Sequence, residues 1–174
     1  MKRKIVLSML AGALLFAPVL PVANAAIYSN GTSSANFTVS LTLLAHCQIN
    51  ATPLDFGTGG VAESAIDQQP TLAVTCTDTT PYNVGLDGGT AAGSTVGARL
   101  LAGTGDGNTD KTVNFQLYQD AGRTVAWGNT QGINTVEGTG NGSAQSITVY
   151  GRVPVQASPA PDRYQTTVTA TVYF

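Results

Sequence analysis

Residues 35–45, which read ANFTVSLTLLA, alternate between apolar and polar side chains along almost their whole length. Only Leu44 breaks the polar side. The apolar side consists of the odd-numbered positions, namely Ala35, Phe37, Val39, Leu41, Leu43 and Ala45. Successive side chains of a β-strand point to opposite faces, so this period of two predicts a long strand with one apolar face. The strand is either the first strand of the chain's own sheet or a segment offered to a neighbouring subunit.

In the rest of the chain, apolar and polar residues also alternate with a period of two. The period of about 3.6 residues that is typical of a helix is almost absent. Glycine-rich clusters typical of turns separate the apolar stretches, as at residues 87–89, 103–108 and 137–142. Strands are predicted at residues 54–56, 71–76, 82–86, 98–102, 112–119, 146–154 and 164–174. Seven or eight short strands within about 150 residues predict a single all-β domain built as a β-sandwich.

Charged side chains are scarce. The 174 residues include 8 Lys and Arg and 10 Asp and Glu, a charged fraction of 10%, whereas soluble globular proteins contain roughly 25%. A nucleic-acid-binding protein needs Lys and Arg to neutralise phosphates, and too few are present. A helical bundle with charged outer faces is excluded for the same reason. The composition therefore excludes nucleic acid as a partner and favours an all-β chain.

The first 25 residues have the three parts of a secretory signal peptide. Residues 2–4 are basic, residues 5–17 are apolar, and residues 23–25 are the Ala-Asn-Ala of a cleavage site. Two prolines interrupt the apolar run before it reaches the roughly 20 residues of a membrane span. We therefore predict cleavage after Ala25 and no membrane span in the mature chain, residues 26–174.

Cys47 and Cys76 are the only two cysteines of the chain, so only one pairing exists. Export would place them in an oxidising compartment, where disulfides form and persist. A nucleophilic cysteine with His46 as its base is disfavoured, because neighbouring residues of a strand point to opposite faces. One histidine and two cysteines also fall short of the four ligands of a zinc site. We predict a structural disulfide and no metal site.

A calcium loop is a weaker possibility at the turn after residue 103. Asp106, Asn108 and Asp110 have the spacing of the first calcium ligands. However, Lys111 stands where such a loop needs glycine, and Leu117 stands where the bidentate glutamate belongs. A solvated hairpin tip is the better interpretation.

Paired carboxylates can serve glycoside hydrolysis, and Asp55 with Glu63 or Asp67 is such a pair. Nothing beyond the presence of these carboxylates supports a glycosidase. A single histidine beside a cysteine builds no Ser-His-Asp triad. We predict no active site and no cofactor, so the chain is not expected to be an enzyme.

From Cys47 to the last residue, the chain carries an ordered series of short motifs. They are Cys47-Gln48-Ile49, Leu54-Asp55-Phe56-Gly57, Thr75-Cys76-Thr77, Pro81-Tyr82, Leu86-Asp87-Gly88-Gly89, Phe115-Gln116-Leu117-Tyr118-Gln119-Asp120, Trp127-Gly128, Val149-Tyr150-Gly151-Arg152-Val153-Pro154, and Tyr164 with Tyr173-Phe174. This series resembles the spore coat protein U domain and is much more specific than any of its pieces. The family includes the subunits of archaic chaperone–usher pili, similar to the Csu biofilm pili of Gram-negative bacteria.

The resemblance implies an incomplete immunoglobulin-like Greek-key β-sandwich that is completed by donor-strand exchange. Subunits of this family give an N-terminal segment to the sandwich of a neighbour. The implied organisation is a signal peptide at residues 1–25, an N-terminal extension with the donor strand at 26–45, and a pilin domain at 46–174. The family's single disulfide would here join Cys47 and Cys76.

The resemblance also assigns roles to two sets of residues. The donor-strand role falls on Phe37, Val39, Leu41 and Leu43, whose alternation fits it independently. The strand that a periplasmic chaperone holds, which also borders the acceptor groove, carries Val168, Ala170, Val172 and Phe174. The chain departs from the family pattern at three positions, which are Arg163 and Gln165 beside the late tyrosine and Phe174 where a final tyrosine is usual.

The sequence therefore predicts a structural subunit of a surface pilus that polymerises by donor-strand exchange and supports adhesion and biofilm formation. Its partners would be identical or related pilin subunits, a periplasmic chaperone and an outer-membrane usher. It would be exported to the periplasm and then reach the cell surface of a Gram-negative bacterium. The rival interpretation is a self-contained secreted β-sandwich that binds an unknown ligand and uses residues 35–45 as its own first strand.

Overall fold

The computed structural model describes residues 30–60 and 63–174, so the predicted signal peptide lies outside the described residues. The chain divides into two units, residues 1–40 and residues 41–174. The described residues of the first unit, 30–40, are exposed and form no strand. All strands of the described chain belong to the second unit.

The described part of the chain contains eleven β-strands and no helix. They are β1 (Cys47–Ala51), β2 (Ile66–Gln68), β3 (Thr71–Cys76), β4 (Pro81–Leu86), β5 (Arg99–Gly103), β6 (Thr112–Tyr118), β7 (Val136–Thr139), β8 (Ala144–Thr148), β9 (Tyr150–Val153), β10 (Tyr164–Gln165) and β11 (Ala170–Tyr173). All strand pairs are antiparallel. The predicted all-β class is confirmed. No membrane-spanning helix is found within residues 30–60 and 63–174.

The strands form three sheets, whose orders are β1-β3-β8, β10-β5-β6-β9-β2 and β11-β4-β7. All three sheets contribute side chains to a shared hydrophobic core. The fully buried Trp127 lies in this core, and its indole N–H donates to the main-chain oxygen of Val84 at 2.8 Å. Leu72, Val74, Leu86, Phe115, Leu117 and Val153 are among the other core residues.

The predicted disulfide is confirmed. Cys47 of β1 and Cys76 of β3 stand directly opposite each other in the sheet, and their sulfur atoms are 2.00 Å apart. Both cysteines are buried. The disulfide therefore ties the start of the edge strand β1 to the inner strand β3.

The predicted strand at residues 146–154 is two strands, because the chain changes sheet at Val149. β8 pairs with β3, whereas β9 pairs with β6 and β2. Val149 lies between them, and its N–H donates to the main-chain oxygen of Pro70 at 2.9 Å. Strands that pass from one sheet of a sandwich to the other bend at such a corner.

The predicted strand at residues 164–174 is divided in the same way. β10 pairs with β5, and β11 pairs with β4 in a different sheet. Between them the chain follows the turn after β4, where the N–H of Asp87 donates to Thr169 and the N–H of Thr90 donates to Thr167, both at 3.1 Å. The C-terminal segment therefore connects two sheets.

Two further predictions of local structure are wrong. Residues 54–56 form no strand, because the Asp55 carboxylate accepts the N–H of Gly57 at 2.8 Å and turns the chain. The glycine-rich run at 137–142 is not all turn, since it includes part of β7. Gly138 stands opposite Tyr82 of β4, and a β-carbon at this position would overlap the Tyr82 ring. The glycine is therefore needed for packing within a strand.

Removing the disulfide is expected to destabilise the domain. In the chain-entropy model, the bridge that closes this loop is worth roughly 3–4 kcal/mol. The double variant Cys47→Ser, Cys76→Ser should lose about that free energy of unfolding, as measured by urea denaturation. The reduced wild-type chain is the matched control and should unfold at the same urea concentration as the variant. An unchanged midpoint after reduction would contradict the prediction.

Candidate functional site: an apolar groove beside the last strand

An open groove with a volume of about 1240 Å³ lies on the second unit and reaches the hydrophobic core. Its floor is apolar and draws on all three sheets. The floor residues are Leu72, Leu86, Leu101, Val113, Phe115, Leu117, Val149 and Val153. A large apolar surface of this kind marks a place where a partner binds.

Two stretches of the chain form the walls of the groove. One wall is residues 51–60, which follow β1 and direct Leu54 and Phe56 towards the core. The other wall is the C-terminal part of the chain, from Gln156 to Ala170. Apolar side chains therefore line the groove on its floor and on both sides.

The C-terminal wall ends in a strand with one free edge. β11 pairs with β4 on one side, with Ala170 opposite Leu86 and Val172 opposite Val84. It is the last strand in its sheet order, so no strand within the described ranges pairs with its other edge. The N–H and C=O groups of such an edge can pair with an added strand.

The four C-terminal residues singled out in the sequence have different environments. Val168 and Ala170 line the groove. Val172 packs against the core but does not line the groove. Phe174 is 59% exposed, and its ring meets the ring of His46 edge-on with the centroids 6.4 Å apart. The structure thus places the first two at the groove and the last two beyond it.

The four residues predicted to form the donor strand are exposed. Phe37, Val39, Leu41 and Leu43 have exposed fractions of 86%, 81%, 83% and 80%. Residues 35–45 form no strand in the described chain, although their sequence alternates. A strand needs a partner for its main-chain groups.

Arg99 is fully buried and holds three chain segments together beside the groove. Its guanidinium donates to the main-chain oxygens of Leu86 at 2.9 Å, Asp87 at 2.8 Å and Trp127 at 2.7 Å. Burial lowers the pKa of Arg99 to about 10, and the charge of Asp87 opposes this effect. Arg99 therefore stays charged at neutral pH and fixes the end of β4, which is the partner of β11.

Asp87 extends this network to the C-terminal segment. One of its carboxylate oxygens accepts the N–H groups of Gly89 and Thr169, both at 2.9 Å. Burial alone would raise the pKa of Asp87. The hydrogen bonds from Thr169 and Gly89 and the charge of Arg99 outweigh burial, so the pKa lies below its usual value of 3.8. The ionised carboxylate thus fixes the main chain at Thr169, the residue that precedes β11.

Sequence reasoning missed both residues of this network as functional positions. Asp87 belongs to the Leu86-Asp87-Gly88-Gly89 motif, but the motif alone gave it no role. Arg99 carried one signal, which is a charged residue within an otherwise apolar predicted strand. A charge at such a position is buried only where hydrogen-bond acceptors surround it.

The other polar candidates are engaged in local structure. Asp110 pairs with Lys111 at 2.8 Å, and Asp67 of β2 accepts two hydrogen bonds from Arg152 at 2.7 and 2.8 Å. Asp55 caps its own turn. Within residues 30–60 and 63–174, no three His, Cys, Asp or Glu side chains are grouped so that they could hold a metal ion.

Comparisons with known proteins point to one family. The family model of the Spore Coat Protein U domain matches residues 33–171. The chain is 35% identical to Protein U of Myxococcus xanthus over 105 residues, which are 59% of this chain and 58% of that protein. This chain therefore spans less than two thirds of the length of that relative.

The fold is similar to that of a chain in the crystal structure of the CsuC–CsuE chaperone–tip adhesion subunit pre-assembly complex, from the archaic chaperone–usher Csu pili of Acinetobacter baumannii. The TM-score is 0.55 and the identity is 22%. The match covers 76% of this chain and 41% of that chain. The likeness shows a shared fold.

The Asp87 network predicts a pH-dependent stability. Asp87→Asn keeps the shape of the side chain but removes its charge, so it should cost about 1–2 kcal/mol at pH 7. Because the folded-state pKa is depressed, the charge stabilises the fold above about pH 4, and this stabilisation is lost as the pH falls through the folded-state pKa. Urea unfolding at pH 7 and at pH 3 measures the difference.

The matched control for this prediction is Asp78→Asn, at an exposed aspartate in the turn after β3. Its effect should be small at both pH values. An Asp87→Asn variant that is as stable as the wild type at pH 7 would contradict the proposed role of the carboxylate.

Proposed function

Because the chain belongs to the Spore Coat Protein U domain family, we propose that it is a non-enzymatic structural subunit of a chaperone–usher surface pilus. One observation carries the proposal. The chain has an open apolar groove beside the free edge of β11, and its own residues 37–43 display an exposed apolar stripe. Inserting the stripe of one copy into the groove of the next would join subunits by strand addition. The resulting pilus would support adhesion and biofilm formation.

The stripe and the groove floor are both apolar. Phe37 to Leu43 is six residue steps, or about 20 Å in an extended chain. The floor offers apolar side chains from all three sheets, among them Leu72, Leu86 and Leu117. The groove volume of about 1240 Å³ leaves room for the four apolar side chains of the donor segment.

The energy of insertion would come from burial and from main-chain pairing. Each buried side chain of this size contributes roughly 1.5–3 kcal/mol relative to exposure. The free edge of β11 would supply hydrogen bonds to the inserted main chain. The donor strand would thereby complete an immunoglobulin-like Greek-key sandwich that the chain cannot complete with its own described strands.

Before assembly, the open groove would be an aggregation hazard. A periplasmic chaperone that holds the C-terminal strand, with Val168, Ala170, Val172 and Phe174, would cover it. An outer-membrane usher would then exchange the chaperone for the donor segment of the next subunit. The chaperone in the similar A. baumannii structure supports this part of the proposal.

The same proposal gives each of three parts of the chain a role. Residues 1–25 would be a signal peptide for export to the periplasm, residues 26–45 the extension with the donor strand, and residues 46–174 the pilin domain. The assembled subunit would lie at the surface of a Gram-negative bacterium. Its neighbours would be identical or related pilin subunits.

A charge on the donor stripe should prevent polymerisation. Leu41→Asp would place a carboxylate in the apolar groove of the neighbour, which is strongly unfavourable. Surface polymers should disappear, as seen by the loss of ladders on unheated gels, while the complex with the chaperone persists. The matched control is Thr42→Asp, which adds the same charge on the opposite face and should leave the ladders intact. Unchanged ladders for Leu41→Asp would show that another segment is the donor.

The mature chain should also behave as an incomplete domain. Purified without a chaperone, residues 26–174 should aggregate or form ladders on unheated gels, because the groove and the β11 edge are open. Size-exclusion chromatography and gel analysis measure this directly. A soluble monomer that unfolds cooperatively, forms no ladders and does not bind a peptide of residues 33–45 would instead support the self-contained binding domain.

A further inference from the structure

One wall of the groove is a segment without strand structure, residues 154–163, which we call the lip. It connects β9 to β10. Most of its residues line the groove, namely Gln156, Ser158, Pro159, Ala160, Pro161, Asp162 and Arg163. The shape of the groove therefore depends on how the lip is held.

The strand pairing that precedes the lip stops at a proline. β9 pairs with β6, with Arg152 opposite Gln116. If this register continued by two residues, Pro154 would stand opposite Asn114. Proline has no N–H and cannot donate to the ladder. The main-chain groups of Asn114 on this side thus need a different partner.

The side-chain amide of Gln156 provides that partner. Its oxygen accepts the main-chain N–H of Asn114 at 2.9 Å and the Asn114 side-chain N–H at 3.1 Å. Its nitrogen donates to the main-chain oxygen of Asn114 at 2.9 Å. One side-chain amide therefore makes the two bonds that the main chain of a paired strand would make.

The far end of the lip is also fixed. The N–H of Gly105 donates to the Asp162 carboxylate at 2.8 Å, and the N–H of Thr104 donates to the oxygen of Arg163 at 3.0 Å. The Tyr164 hydroxyl donates to the oxygen of Ala160 at 2.7 Å. Hydrogen bonds therefore hold the lip near both of its ends, and those of Gln156 hold the end next to β9.

The lip differs chemically from the free edge of β11, which stands at the other end of the same C-terminal wall. Two of its residues, Pro159 and Pro161, have no N–H to offer to an inserted strand. The lip is suited to confining and packing against an inserted segment rather than extending the sheet. Hydrogen bonding would then fall to β11, and the lip would set the width of the groove.

We propose that Gln156 is a positioning residue that holds the lip in the shape that accepts the donor segment of a second copy of this chain. This inference rests on the function proposed above. Without the amide, the Asn114 groups lose this partner, and the lip loses its attachment next to β9. The groove would then hold the donor segment less tightly, although Gln156 itself need not touch it.

The experiment uses the mature chain with Leu41→Asp, which keeps its groove but cannot donate, at concentrations low enough to keep it from aggregating. The probe is a fluorescent peptide of residues 33–45, and its affinity and dissociation rate are measured. Adding Gln156→Leu removes all the amide's bonds and should weaken peptide binding about tenfold, as expected if the lip then takes the accepting shape only about one tenth of the time. Gln156→Glu keeps the acceptor but not the donor and should give an intermediate affinity.

The matched control is Gln131→Leu, at an exposed glutamine in the loop between β6 and β7. Its peptide affinity should equal that of the parent. Urea unfolding without peptide separates positioning from general stability, because a merely structural role would lower the unfolding midpoint and leave the affinity of the folded chain unchanged. If Gln156→Leu does not fold, Gln156→Glu decides the question by the same two measurements.

The outcomes separate the two proposals. Parent-like peptide affinity in the Gln156 variants, with binding by the parent itself, would overturn the role of Gln156 and leave the pilus function standing. Absence of peptide binding by the parent would overturn the proposed function and this inference with it. Graded affinity in the order Gln, Glu, Leu, at similar unfolding midpoints, is the expected result.

Discussion

The architecture depends on one constraint, which is that the free edge of β11 lies beside a groove that opens onto the hydrophobic core. The apolar surface is unfavourable when it faces water, and the unpaired main-chain groups of the edge are a template for an added strand. A second strand placed in the groove would satisfy both at once. The exposed apolar stripe at residues 37–43 has the alternation of a strand and would supply this segment in the function proposed above.

The chain keeps this groove open by changing sheets at its two walls. At Val149 it passes from the β3 side to the β6 side, and after β10 the C-terminal segment crosses from β5 to β4. Each crossing is held by specific polar contacts rather than by continuous pairing. Arg99 and Asp87 fix the second crossing through main-chain oxygens and N–H groups, so the position of β11 does not depend on a strand beyond it. The groove is therefore preorganised, which lowers the cost of binding a segment.

The sequence predicted strands from side chains that alternate with a period of two. It missed features that depend on tertiary contacts. Strand β3 has the predicted bounds, because its alternating side chains face the core on one side. The divided strands were predicted as single ones, since a change of partner leaves no mark on the alternation of residues 146–154. β1 alternates apolar Cys47, Ile49 and Ala51 with polar Gln48 and Asn50, but the predicted strand of residues 35–45 stops before it. β7 contains a glycine that serves the packing of Tyr82, so it shows no strand pattern.

The candidate site, like the fold, was predictable only in part. Alternation indicated the stripe at residues 37–43 and the wall residues Val168 and Ala170, and the two cysteines indicated the disulfide. The contacts of Gln156 were beyond prediction, because they depend on where the pairing of β6 with β9 ends. Buried Arg99 likewise depends on main-chain oxygens from two separate segments, at Leu86–Asp87 and at Trp127. Such roles become visible only when the fold has brought the partners together.

The low charge of the chain fits the same physical picture. Of the five basic residues in 26–174, Arg99 is buried, Lys111 pairs with Asp110, and Arg123 and Arg152 both pair with Asp67. Most of the basic side chains are therefore buried or paired with an aspartate. The exposed faces are rich in Thr, Asn and Gly. Repulsion between like charges falls as fewer of them face one another, so neutral faces favour close contact between identical copies. If the chain packs against copies of itself as proposed, its small number of charged side chains limits the repulsion between those copies.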